Sequence, residues 1–189
     1  MHRLFCAPNT TTLIPTNPVS TMPVISHQLV RDLIRKYADV FTTRFPFANM
    51  DVHFTENGLP PLPQGIKRDA PKEVFGASIK AGNTHLIGIH RQLTPPAQLS
   101  TFFHEYGHAV HRVESHEDDS DGPMLVLSET AAMLSSLKLP HEEELPEVAI
   151  ISARMILSIV NNTDEYRQAF EMISKHPLWL KYGRLTGAV

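Results

Sequence analysis

This sequence of 189 residues has a single cysteine, Cys6, so no internal disulfide can staple the chain. A reducing, cytoplasmic setting is the natural expectation. Charge of either sign is also scarce in excess: 17 lysines and arginines against 20 acids give a formal charge of −3. So neutral a chain lacks the basic stripe of a nucleic-acid or anionic-membrane binder, and neither partner is expected. No apolar run approaches the roughly 18 residues a membrane span requires. Acids are missing altogether from "MHRLFCAPNTTTLIPTNPVSTMPV", which is rich in Thr and Pro and has no apolar core of the signal-peptide kind. Residues 1–24 therefore read as a flexible N-terminal tail with little to bury, although a composition without acids also suits a non-classical export segment.

What is present fits a soluble globular class: 42% hydrophobic and 20% charged residues, with residues 25–189 long enough to bury one core as a single domain. Eleven of the 15 prolines precede residue 97, which predicts strands and loops in the N-terminal half and helices in the C-terminal half, an α+β chain. Leu29, Leu33, Ile34 and Tyr37 recur at helical spacing behind Ser26, a good N-cap. "DVHFTE" alternates like a strand, and "GLPPLPQG" interrupts it as a stiff loop. "VFGASIK" and "THLIGIHR", separated by Ala81-Gly82-Asn83, read as a hairpin. Pro95 and Pro96 announce a helix. Three more helices follow Pro123, Pro146 and Thr163, and the residues after Pro177 carry no readable pattern.

The helix that begins at Pro95 carries the chemistry. On a wheel of about 100° per residue with His104 at zero, Leu99, Phe102, Phe103, Tyr106, Val110 and Val113 fall between about 160° and 260°. His108 at about 40° and His111 at about −20° lie opposite that apolar stripe, so the three histidines are expected to face one cleft. His104-Glu105-Tyr106-Gly107-His108 is an HExxH string, in which two imidazoles one turn apart converge on one metal ion and the intervening Glu flanks its water. Zinc is the metal this spacing suits best. A bland alternative is a polar helix face that happens to hold His and Glu. Gly107 speaks against it, because a mid-helix glycine costs about 1 kcal/mol relative to alanine and calls for a close approach of backbone or ligand.

Two imidazoles do not complete a zinc site, and three candidates compete for the third position. Glu114 lies where metzincins place a third histidine, but His111 stands where their signature has glycine. His116 and the acidic run "EDDSD" belong to a loop whose charges suit solvent. Glu129 is the only charged residue between Asp121 and Lys138, on a helix face shared with Leu125, Val126, Ala132 and Met133. Burying an unpaired carboxylate is costly, so either a hydrogen-bonded core acid or a cation ligand is implied, and HExxH upstream favours the cation.

An HExxH helix followed by a ligand Glu on the next helix resembles the gluzincin branch of the zinc metallopeptidases. "HEYGHAVH" is similar to the HExGHxxH of thimet-oligopeptidase-like enzymes. "THLIGIHRQLTPPAQLSTFFHEYGH" with "SETAAMLSSLKLP" resembles the compact ImmA/IrrE-like peptidases, although Ala131 stands where that pattern usually has Asn. The resemblance covers about residues 74 to 140. It implies a zincin-like fold with a small antiparallel or mixed sheet packed on the HExxH helix, zinc on His104, His108 and Glu129, and Glu105 as the catalytic acid/base.

The expected activity is hydrolysis of a peptide or protein substrate, with Glu105 moving a proton from the attacking water to the leaving amine and zinc activating that water. The strand "THLIGIHR" is a candidate to hold an extended peptide by strand addition. Tyr166, His176 and Tyr182 are all conceivable oxyanion donors, and the sequence does not rank them. A non-hydrolytic zincin-like scaffold that binds or regulates a protein partner is the main rival, and a metal-free helical interaction domain is another. Intact Glu105 speaks against the first and the isolated Glu129 against the second.

Overall fold

The computed structural model describes residues 24–62, 74–116 and 122–187. The tail expected over residues 1–24 lies outside them except for the exposed Val24, as do part of the proline-rich loop and the acidic run 117–121. The first helix, α1 (His27–Arg44), starts where the sequence places it: the Ser26 hydroxyl accepts from the Leu29 amide at 3.2 Å. Its buried stripe is Val30, Leu33, Ile34, Tyr37 and Phe41, with Leu29 at the margin.

Three strands follow: β1 (Asn49–Thr55), β2 (Gly76–Ala81) and β3 (Thr84–His90). The hairpin forms with Ala81 opposite Thr84 and Gly82 at φ +60° as the first central turn residue. Only glycine takes that position without strain, as in a type II′ turn. β1 pairs parallel to β3, so the order is β1-β3-β2 and the sheet is mixed. β3, the most apolar strand, is therefore central and buried from His85 to His90. This corrects the expectation that "THLIGIHR" receives a peptide: its backbone groups are spent on both neighbours, and the open edge on the hairpin side belongs to β2.

The remainder is helical: α2 (Pro95–Ser115), α3 (Gly122–Glu142), α4 (Pro146–Ile159), α5 (Asp164–Ile173) and α6 (Pro177–Tyr182), then a short 3-10 turn. Thr163 caps α5 by accepting from the Tyr166 amide. Pro140 does not end α3, which runs on to Glu142. The unread C-terminal stretch folds because His176 caps α6 and Trp179 buries one face of it. Among the described residues the architecture is α+β, with six α-helices and one three-stranded sheet. No described helix is long and apolar enough to cross a membrane.

Two apolar cores result. One lies between the sheet, α1 and the apolar stripe of α2, where Phe41, Ile87, Leu99, Phe102 and Phe103 are fully buried. The other joins α3 to α4, α5 and α6 through Met133, Leu137, Ile156 and Trp179. The apolar stripe of α2 faces the first core, so its histidine face is left for the seam between the two cores, where α3 crosses.

Candidate metal centre

Gly107 sets the seam. A Cβ built on it would lie 2.7 Å from the Ala132 Cα and 2.8 Å from the Ser135 hydroxyl, so α3 reaches α2 only because that methyl is absent. The close approach foreseen from the sequence is thus between two helix backbones. It brings Glu129, one turn before Ala132, against the histidines of α2.

The Glu129 carboxylate bridges the two rings: His104 Nε2 lies 3.6 Å from Oε2 and His108 Nε2 lies 3.6 Å from Oε1. One ligand atom from each of these residues lies within 4.8 Å of the others, and together they could hold a metal ion. Glu129 is only 5% exposed, and its Oε2 has no hydrogen-bond partner. A buried carboxylate with an orphaned oxygen is costly in a protein interior, and a cation between it and two imidazole lone pairs removes the cost. The donor set fits a divalent metal on this ground.

The surrounding residues prepare those donors. Ser128, fully buried, lies 2.7 Å from His108 Nδ1. With the Nδ1–H donated to the serine hydroxyl, the Nε2 lone pair faces Glu129, the arrangement by which outer partners orient metal-binding histidines. Burial, and then the electrostatic influence of neighbouring His104, Arg112 and His111, hold His108 well below its ordinary pKa and keep it neutral. Burial also pushes His104 down, but the Glu129 and Glu105 carboxylates outweigh this and raise it.

Glu105 is buried beside the donors. Loss of solvent raises its pKa to about 7, with Glu129 adding to the rise and His104 and Arg112 opposing it. It is thereby poised to exchange protons near neutrality. His104 and Glu105 line a cavity of about 610 Å³ enclosed by the start of β2, the end of β3, α2, α4 and Tyr166 of α5. Tyr166 is the one of the three possible oxyanion donors that lines this cavity. Burial, the Glu129 and Glu105 charges and a hydrogen bond to Glu129 push its hydroxyl far up, so it stays protonated. Tyr182 instead lies 2.8 Å from His141 Nδ1, and His176 caps α6.

Two of the other candidates for a third ligand lie elsewhere among the described residues, and the acidic run 117–121 is outside them. Glu114 is paired with Arg44 across to α1, and His116 is an exposed, left-handed residue ending α2. His111, on the same face of α2 by the helical wheel, is not part of the donor group, because seven residues along a helix carry it about 10 Å beyond His104. Sequence reasoning missed Ser128, whose only signal was a second polar residue beside Glu129 in an apolar helix. It also missed Arg112, which donates from Nη1 to the Ser78 carbonyl at 3.0 Å and hydroxyl at 2.9 Å, tying α2 to β2.

The chain matches no family model, no curated protein and no solved structure. Its function is therefore argued from the site alone.

Proposed function

We propose that this chain is a zinc-dependent peptidase of the gluzincin type on a zincin-like fold, with His104, His108 and Glu129 as ligands and Glu105 as the proton carrier. The observation that supports it best is the bridged donor group with a buried, orphaned Glu129 oxygen and a carboxyl of pKa about 7 beside it. Zinc bound there supplies Lewis acidity, which polarises a carbonyl and acidifies water. Glu105 takes a proton from the attacking water and returns it to the departing amine, a role its raised pKa suits. Tyr166, protonated and on the cavity wall, donates to the oxygen on which negative charge develops. Ser128 holds the His108 ring, and the walls of the adjoining cavity are largely apolar.

Glu105→Gln tests the proposal. The variant keeps fold and metal but loses about 10² to 10⁴ in rate or more on a diverse peptide library, with a chelated control against contaminating proteases. Equal zinc-dependent cleavage by both forms removes Glu105 from the mechanism. Cleavage by neither favours a non-hydrolytic scaffold that binds a protein partner.

A further inference from the structure

The cavity beside Glu105 bears on which peptides are cut, a question that rests on the hydrolytic reading. Its volume of about 610 Å³ is in the range of sites that enclose a ligand. Phe75, at the start of β2, stands 52% exposed on its rim, a large apolar surface with nothing to cover it among the described residues. Leu93 and, from α4, Met155, Ile156 and Ile159 form apolar walls. Beside Glu105 and the imidazoles of His90 and His104, the lining offers hydroxyls, of which those of Ser100 and Ser152 lie 2.7 Å apart. Glu105 is the only carboxylate on the described lining, and no lysine or arginine faces it. Away from the metal site itself, a charged side chain entering here would lose its hydration and find no counter-charge on the described lining.

We propose that this cavity seats a bulky, uncharged substrate side chain, aromatic or long aliphatic, on a residue flanking the scissile bond. Met155 and Ile159 are its specificity-determining walls. Phenylalanine, tyrosine, leucine and methionine all suit it, because they cover the rim and walls without burying a charge.

The test uses zinc-loaded full-length protein and two sets of acetylated, amidated hexapeptides on an alanine background. One residue, on either side of the central bond, is Gly, Ala, Leu, Met, Phe, Tyr, Asp or Lys. Peptides with Phe, Tyr, Leu or Met on one side are cut about tenfold or more faster than those with Gly or Ala, and Asp and Lys are poorest. Met155→Lys turns that order toward Asp. Should that variant fail to fold, Ile159→Ala, which only enlarges a half-buried wall, shifts preference from Leu toward Tyr. Even cleavage across the sets, or folded variants that keep the wild-type order, overturns the inference while leaving hydrolysis intact. If wild-type protein cuts no peptide, the hydrolytic reading fails separately, and binding of the same peptides to zinc-loaded Glu105→Gln protein decides. Affinity that climbs from Gly to Phe and falls in Met155→Lys upholds an apolar site, and a flat series overturns it.

Discussion

Gly107 of α2 and Ala132 of α3 meet so closely that a methyl group on residue 107 would come within 2.7 Å of the Ala132 Cα and 2.9 Å of the Ser135 Cβ. Gly107→Ala pits two effects against each other. Helix propensity favours alanine by about 1 kcal/mol, while overpacking a well-filled contact costs about 1–3 kcal/mol. Because the obstruction is backbone of a neighbouring helix, the second effect wins and the variant is less stable. Urea denaturation of metal-free protein checks it, and an unchanged or higher midpoint would show that α3 can yield.

Glu129→Ala abolishes tight zinc binding, whereas Glu114→Ala leaves it intact. Glu114 belongs to an exposed pair with Arg44, so its loss costs about 0–1 kcal/mol of stability and no metal. Elemental analysis after gentle purification gives about one zinc per wild-type chain. A chelator lowers the melting temperature, since zinc at about 100 times its dissociation constant adds about 2.7 kcal/mol. Retention of zinc by Glu129→Ala, with loss in Glu114→Ala or His116→Ala, would reverse the assignment.

Ser128→Ala removes the group that orients His108 without touching a ligand. Zinc affinity falls by about 10- to 100-fold, the usual effect of deleting such an outer partner. Competition with a chromophoric chelator measures it, and Ser128→Thr, which retains a hydroxyl, recovers part of the loss.

Glu143 ties the end of α3 to α1. Its Oε1 accepts from Lys36 Nζ at 2.6 Å and from the Tyr37 hydroxyl at 2.7 Å. Burial alone would raise its pKa, but these donors outweigh burial and hold it below the ordinary carboxylate range. A carboxyl depressed in the folded state contributes stability that is fully present above its unfolded pKa, about 4.3, and lost as pH falls through the folded value. Wild type should therefore exceed Glu143→Gln by on the order of 1 kcal/mol at pH 6 to 7. The two should converge below about pH 4. Denaturation midpoints across that range give the comparison, and a gap independent of pH would mean that the pair acts through packing alone.

Much of this protein is local, and the sequence determined that part by itself. Ser26 and the spacing of Leu33, Ile34 and Tyr37 place α1, Gly82 places the hairpin turn, and Pro95 starts α2, because caps, turns and periodicity involve residues a few positions apart. The HExxH string and the one charge in an apolar helix were enough to name the side chains that gather as a possible metal site. Tertiary structure alone decided the rest. Alternation in β1 does not say which strand it joins, and its parallel pairing with β3 is what made β3 central rather than an edge. Nothing near Glu114 in the chain announces Arg44, and nothing near Tyr166 separates it from His176 and Tyr182. Those choices depend on side chains brought together from distant parts of the chain, and they are made only when the two cores close and α3 comes to rest on Gly107.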